Sequence, residues 1–243
     1  KIPGYTKIKG MAGAVEFGWS QDGLINFYYK TAELDVTGRL FVNHRQDVTK
    51  LELTKIVLAD YFEGKALYIF GGLKNKLIIE GKRYDYSKSP QHQFISSNVN
   101  TDVDVRISNV KITENLMLNS FVGTFVVGNN LTGSGMATLN TGPEIKIKLI
   151  VDSKEKVVAI SSKNAGAVLL ESNVYSSGYG GEIEFKFVQG SNSNHNGSVL
   201  IKNLKVIGAP FLAKLISLTS VEGIIDVLSS NGIIFTNIEA DYQ

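Results

Sequence analysis

This chain contains no cysteine, and it is poor in proline, histidine and tryptophan: its 243 residues include four prolines, three histidines and one tryptophan. Without cysteine it has no disulfide framework, no thiolate metal site and no cysteine nucleophile. The histidines, His44, His92 and His195, lie among polar neighbours and match neither a zinc-protease motif nor the spacing of a Ser/His/Asp triad. We therefore expect surface histidines and a protein that is not an enzyme and carries no metal or cofactor.

Long apolar runs and an excess of charge of one sign are also missing. Lysine and arginine number 25 against 23 for aspartate and glutamate, which gives a net charge of +2, and these charges are scattered along the chain. Because nucleic-acid-binding proteins carry a basic patch, we expect no nucleic-acid partner. No run of about eighteen apolar residues occurs, so we expect that any membrane anchor or export signal has been removed or never existed.

Short segments in which apolar and polar residues alternate are abundant. The clearest are residues 144–150 and 181–188, where apolar positions share one face of an extended strand and Lys or Glu residues lie on the other. Weaker strand patterns occupy residues 14–19, 24–29, 33–36, 39–42, 51–58, 65–70 and 76–80. The positions that we expect to face an apolar interior are Ile145, Ile147, Leu149, Ile183, Phe185 and Phe187. The sequence therefore predicts a mainly β fold.

Two segments interrupt the strand pattern. Residues 85–100 are polar and aperiodic, which predicts a loop and an internal boundary near residues 85–102. Residues 164–171 have the composition of one or two helical turns. A chain of this length that is 43% hydrophobic can form one large all-β domain or two small ones.

A six-residue pattern, apolar-polar-polar-apolar-polar-apolar, recurs four times, at Leu53–Leu58 (with Val57 in its fifth position), Ile107–Ile112, Ile201–Val206 and Phe235–Ala240. Two consecutive polar residues break strict alternation, and a β-bulge is the simplest way to keep both apolar ends on one face. The pattern predicts bulges at Lys55, Asn109, Asn203 and Asn237. The alternative is that four loosely similar hexamers arise by chance.

The segment from Pro210 to Ser230 is the convincing helical stretch of the sequence. Proline suits a first helical position, Ser220 suits the N-cap of a second helix, and Asn231-Gly232 supplies a left-handed stop. Charged residues such as Lys214 and Glu222 interrupt the apolar run, which excludes a bilayer-spanning helix. We expect this pair to dock on the sheet as a cap through Phe211, Leu212, Leu215, Ile216, Ile224, Ile225 and Leu228.

The same region carries a family resemblance. The run Val206-Ile-Gly-Ala-Pro210, the two helical segments and the strand ending in Ile238-Glu-Ala240 are similar, in order and sequence, to the C-terminal signature of the AsmA-like (YhdP-type) proteins of Gram-negative bacteria. Weaker similarity extends upstream through Gly180–Glu182, Asn164–Ala167 and Gly81–Tyr86, so that the resemblance covers most of the chain. Such proteins usually continue further and carry an N-terminal membrane anchor. We therefore expect residues 1–243 to be a single segment excised from a longer protein.

The resemblance implies an extended, strongly bent antiparallel β-sheet, groove-like or taco-like, with a short C-terminal amphipathic helical pair at residues 210–230. It implies a non-enzymatic periplasmic lipid-transfer segment, anchored to the inner membrane through the missing N-terminal part. Its apolar concave surface would carry phospholipid acyl chains between the inner and outer membranes. From the residues alone, a structural or outer-membrane-assembly scaffold with a closed β-sandwich core and no lipid ligand stays open as the alternative.

Overall fold

The computed structural model describes the backbone of residues 4–10, 13–19, 23–90, 99–190, 195–207 and 232–242. It describes the side chains of residues 23–90, 99–190, 195–207 and 232–241. The strands of the described part are β1 Gly4–Gly10, β2 Gly13–Trp19, β3 Leu24–Lys30, β4 Leu34–Val42, β5 Val48–Leu58, β6 Phe62–Ile69, β7 Asn75–Asp85, β8 Thr101–Lys111, β9 Met117–Val127, β10 Leu131–Leu139, β11 Glu144–Val151, β12 Glu155–Ser162, β13 Gly178–Tyr179, β14 Glu182–Gly190, β15 His195–Val206 and β16 Ile233–Tyr242. The helix α1 spans Ala165–Glu171.

The strands follow one another in a single sheet order. Strands β1 to β12 are ordered as in the sequence, β14 and then β15 come next, and β13 and β16 both pair with β15. Among the described residues this order does not close on itself. The mainly β, mostly antiparallel sheet expected from the sequence is confirmed.

The chain divides into two compact units. The first contains residues 1–135 and 150–152, and the second contains residues 136–149 and 153–243. Residues 85–102, where the sequence predicts an internal boundary, lie within the first unit.

Strands β7 and β8 form a parallel pair, in register from Asn75 with Thr101 to Asp85 with Lys111. Parallel neighbours need a connection that returns along the strands, whereas antiparallel neighbours need only a short turn. The described parts of the connection between β7 and β8 are residues 86–90 and 99–100, and the rest of the predicted loop lies outside the described residues. The first turn of this connection is held by the hydroxyl groups of Tyr84 and Ser89, which lie 3.0 Å apart.

The expectation of two strands at residues 33–36 and 39–42 is wrong, because β4 is one continuous strand from Leu34 to Val42. Gly38 suggests a turn in the sequence, but here it is buried beneath neighbouring side chains. A Cβ atom at this position would lie 2.6 Å from the Phe27 ring and 2.9 Å from Leu53. The glycine therefore allows close packing inside the sheet, and the actual turn follows at residues 43–47, where the Asn43 side chain accepts hydrogen bonds from the N–H groups of Arg45 and Asp47.

The bulge predicted at Lys55 is confirmed. The pairing of β5 with β6 shifts from Leu53 opposite Ala66 to Ile56 opposite Gly64, so that two residues of β5 oppose one of β6. Leu53 is half-buried and Ile56 is buried, while Thr54 and Lys55 between them are exposed. The bulge thus keeps both apolar ends of the hexamer on one face, as the pattern requires.

The bulges predicted at Asn109, Asn203 and Asn237 are wrong, because the strand register does not shift at these residues. The hexamers of β15 and β16 lie opposite each other, with Ile201 paired with Ile238 and Leu204 paired with Phe235. Each strand therefore turns two polar residues outward at the same level, and no extra residue is needed. Asn203 achieves this with a left-handed φ of 53°, a conformation that asparagine tolerates better than most residues.

Helix α1 confirms the helical turns expected at residues 164–171. The Asn164 side chain caps its N-terminus by accepting a hydrogen bond of 3.0 Å from the N–H group of Ala167. At the other end, the Glu171 carboxylate accepts hydrogen bonds from the backbone N–H groups of Asn140, at 3.0 Å, and Thr141, at 2.6 Å. The helix therefore braces the turn between β10 and β11. The helical pair predicted at residues 210–230 lies outside the described residues.

Replacing Glu171 with alanine is expected to lower the free energy of unfolding of the second unit by about 1 kcal/mol, since two N–H groups would exchange a charged acceptor for water. Hydrogen exchange at the Thr141 amide should become faster. Glu184→Ala is the control, because this glutamate is exposed in the same unit, and its removal should leave that amide unchanged. Equal exchange in both variants would show that Glu171 does not hold the turn.

Candidate functional site

One face of the first unit is apolar across six adjacent strands, β4 to β9. Paired residues of neighbouring strands point to the same face of a sheet, so each chain of pairings defines a row that crosses the strands. Four consecutive rows are almost entirely apolar or glycine. They are Leu34-Leu58-Phe62-Tyr84-Val110-Leu118, Val36-Ile56-Gly64-Gly81-Ile107-Phe121, Gly38-Leu53-Ala66-Ile79-Val105-Gly123 and Leu40-Leu51-Tyr68-Leu77-Val103-Phe125. We call this surface the apolar face of the first unit.

The contacts between the described strands β1 to β9 of the first unit run mainly between neighbours in the sheet. Burial is accordingly uneven: Leu118 is 3% exposed and Phe62 8%, whereas most of the other side chains in the rows are only half-buried. In the part of the chain that the structure describes, the apolar face is thus the surface of a single sheet.

Aromatic rings of the apolar face lie directly over glycines. A Cβ atom on Gly64 would approach the Phe62 ring to 2.8 Å, and one on Gly135 would approach the Phe121 ring to 2.7 Å. Phe62 also meets Tyr84 edge to face, with ring centroids 6.5 Å apart. Rings that lie flat along the sheet shield its backbone and leave a broad apolar surface without tall side chains.

The opposite face of the same strands is polar and carries a series of ion pairs. Lys65 and Glu80 lie 2.7 Å apart, as do Lys82 and Glu63. The hydrogen bond from Lys82 lowers the pKa of Glu63, and the hydrogen bond from Lys65 lowers that of Glu80. These side chains are exposed or half-exposed, so such pairs contribute little to stability. The sheet of the first unit therefore has one dry and one wet surface.

The six residues predicted to face an apolar interior lie on the less exposed side of their strands. In β11, Ile145 is 3% exposed and Ile147 and Leu149 are half-buried, while Lys146 and Lys148 are exposed. In β14, Ile183 is buried and Phe185 and Phe187 are half-buried, while Glu184 and Lys186 are exposed. Strand β12 lies between β11 and β14, so the two predicted groups are not neighbours in the sheet. Contact of these residues with lipid stays a prediction.

Strands β12 and β15 lie on either side of β14 and extend the apolar surface that contains Phe185 and Phe187. Phe185 pairs with Ile160 on one side and Val199 on the other, and Phe187 pairs with Val158 and Gly197. The Phe187 ring also stacks on His195, with centroids 5.7 Å apart. We call these rows the apolar face of the second unit. Its apolar side chains at this end of the strands are half-buried.

The other end of the second unit is closed by α1. Ala165, Leu204 and Val206 are 0 to 3% exposed, and Ile183 and Ile201 complete the same buried cluster. Val168, Leu169 and Tyr175, from α1 and the segment after it, pack against this cluster. A sealed core therefore lies beneath α1, and it gives way to a more accessible apolar surface further along β14 and β15.

The sequence reasoning missed the apolar face of the first unit. Its signal is present but diluted by glycine, as in the alternating positions Phe121, Gly123 and Phe125, which a search for alternating large apolar residues passes over. It also missed Leu204 and Val206 as core residues, although the repeated hexamer that contains them marked both as inward-facing positions. Glycine counted as an apolar-face residue would have revealed the face of the first unit.

Side chains that could bind a metal or act in catalysis are few in the part of the chain that the structure describes. Its residues contain no group of three or more His, Asp or Glu side chains arranged to hold a metal ion. His44 and His195 are exposed, as predicted, and His92 lies outside the described residues. No helix in the described ranges is long and apolar enough to cross a membrane.

Comparison with protein-family models, with curated proteins and with solved structures finds no match to this chain.

Proposed function

We propose that this chain is a non-enzymatic lipid-transfer segment whose apolar faces carry the acyl chains of phospholipids. The observation that supports this proposal is the apolar face of the first unit, which crosses six adjacent strands in four consecutive rows. Six strands span about 24 Å at the usual spacing. An acyl chain lying on such a surface gains roughly 0.8 kcal/mol for each methylene removed from water.

The physical requirements of acyl-chain binding agree with the composition of this surface. Alkyl chains need a continuous dry surface and no directional polar groups, and rings lying flat over glycines provide one. In this proposal the bent sheet forms a groove, and the predicted helical pair at residues 210–230 closes one end. The location is the periplasm, where parts of a longer protein outside this chain attach it to the inner membrane and lipid passes between the inner and outer membranes.

A scaffold without a lipid ligand is the second candidate. The sealed cluster of Ala165, Leu204 and Val206 beneath α1 favours it, since these residues are inaccessible to any ligand. If the remaining apolar surface were sealed in the same way, the chain would be a structural element with a closed core. The two candidates differ in whether the half-buried region around Phe185 is open.

Lipid extraction tests the proposal. Protein purified without strong detergent should release about one or more phospholipids per chain, measured by mass spectrometry of the extract. A well-folded, lipid-free protein that also takes up no phospholipid from vesicles would overturn the lipid-transfer proposal and favour the scaffold.

Phe185→Asp separates the two candidates at residue level. If the apolar face is open, the variant should stay folded and lose most of its bound lipid, because a carboxylate now interrupts the dry surface. If the face is a sealed core, the same change should lower the free energy of unfolding by several kcal/mol. Lys186→Asp is the control, since this neighbour is exposed on the polar side, and it should change neither quantity. Retained lipid together with unchanged stability in Phe185→Asp would contradict both candidates.

A further inference from the structure

A groove of about 630 Å³ crosses the polar face of the first unit, on the side of the sheet opposite to its apolar face. Residues of strands β5 to β9 line it. Its volume lies within the range of pockets that hold small ligands. Because it faces away from the apolar surface, acyl-chain binding does not account for it.

Irregular pairing at one level of the sheet creates this groove. Thr54 and Lys55 form the bulge in β5, and Lys82 is an extra residue in β7 where the pairing with β6 shifts. The pairing of β8 with β9 is interrupted at Ser108 and Ser120. All five residues line the groove, and bulges bend the strands that carry them. The groove therefore follows a line of irregular strand pairings across the sheet.

Among the residues at these irregular pairings, Ser120 has an unusual backbone conformation. Its φ of 53° is left-handed, a conformation that costs energy for a residue with a Cβ atom. It exposes Ser120 on the polar face, across the strand pairing from the exposed Ser108. Within the described ranges neither hydroxyl group has a hydrogen-bond partner. Two hydroxyl groups without a described hydrogen-bond partner thus lie at one end of the groove.

The charges that line the groove are unbalanced towards the positive. Four cations, Lys55, Lys65, Lys82 and Arg106, face two carboxylates. Each lysine is in an ion pair at 2.7 or 2.8 Å, and Lys55 pairs with Asp35 outside the groove. Arg106 lies opposite Glu80 in the strand pairing, but that carboxylate is bound by Lys65. No described carboxylate lies within ion-pair distance of the Arg106 guanidinium.

The geometry points to an anion-binding site in this groove, with Arg106 as its anchor and the hydroxyl groups of Ser108 and Ser120 as further donors. The ligand is a phosphate or carboxylate group. A guanidinium binds such planar or tetrahedral oxyanions through two parallel N–H donors, and hydroxyl groups supply additional hydrogen bonds. Arg106 and Ser108 are two residues apart in β8, so both project from the same face of the sheet.

Calorimetric titration of the whole chain with inorganic pyrophosphate at low ionic strength tests the site. Arg106→Ala should weaken binding at least about tenfold, because the charge-assisted hydrogen bonds of the guanidinium are lost. Arg39→Ala is the matched control, an exposed arginine of the same unit outside the groove, and its affinity should equal that of the unchanged chain. A double variant, Ser108→Ala with Ser120→Ala, should also bind more weakly. Circular dichroism verifies that each variant is folded.

Vesicles distinguish the source of the anion. If the natural ligand is a lipid headgroup, phosphatidylglycerol vesicles should bind in an Arg106-dependent manner and phosphatidylcholine vesicles should not. If it is a soluble anion, pyrophosphate binding alone should depend on Arg106. The proposal is overturned if neither probe binds, or if Arg39→Ala and Arg106→Ala weaken binding equally. Pyrophosphate has no apolar part, so this result is independent of lipid binding on the apolar faces.

Discussion

Replacing Leu204 with aspartate is expected to lower the free energy of unfolding of the second unit by at least about 4 kcal/mol. Leu204 is 3% exposed and lies in the buried cluster with Ala165 and Val206. Its truncation alone would open a cavity, and the new carboxylate would lie in an apolar cluster shielded from water. Urea unfolding followed by circular dichroism should show a large loss of the transition that belongs to this unit, or no folded baseline at all.

Ile234→Asp is the control for this change. Ile234 lies in the adjacent strand β16 but is 63% exposed, so a carboxylate there remains in water, and the change in stability should stay within about 0.5 kcal/mol. Leu204→Ala should fall between the two, at roughly 3 kcal/mol. If Leu204→Asp were as stable as Ile234→Asp, the residues beneath α1 would not form a packed core.

Gly166→Ala is expected to be the second most damaging change, although it adds a single methyl group. The new Cβ atom would lie 2.4 Å from the carbonyl oxygen of Gly178 and 2.8 Å from the Cα atom of Tyr179. Both are backbone atoms, which cannot rotate away as a side chain would. We expect α1 to be displaced from β13, at a cost of about 3 kcal/mol.

Hydrogen exchange measures this displacement directly. The N–H groups of Ala165 and Gly166 bond to the carbonyl oxygens of Gly181 and Gly180, both at 2.9 Å, and their protection should be lost in the variant. Gly72→Ala is the control, because no heavy atom lies within 4 Å of its added Cβ; it should be neutral or stabilise slightly by restricting the unfolded chain. If these two amides stayed protected in Gly166→Ala, α1 would remain in place beside β13 despite the added methyl group, and the predicted displacement would be wrong.

The local features of the fold could be predicted because neighbouring residues determine them. Alternation in residues 144–150 and 181–188 identified the buried side of β11 and β14 correctly, since successive side chains of a strand must point to opposite faces. The helical composition of residues 164–171 likewise located α1. These patterns are contained within a few consecutive residues.

The features that failed depend on the partner strand. Asn203 required no bulge, because β16 brings an identical irregularity to the same level. Gly38 did not mark a turn, because the Phe27 ring of β3 occupies the space above it. The alternation within one strand does not say which strand lies beside it or in what register, so neither outcome follows from the local pattern.

The sequence by itself determined a mainly β chain, helical turns at residues 164–171 and the less exposed side of its clearest strands, because these follow from the two-residue period of a strand and from local composition. Only the tertiary structure decided that residues 34–125 form rows of one continuous apolar face, and that Arg106, Ser108 and Ser120 meet in a groove on its reverse. Both surfaces are built from residues far apart in the chain, and strand register, shifted by bulges, brings them together.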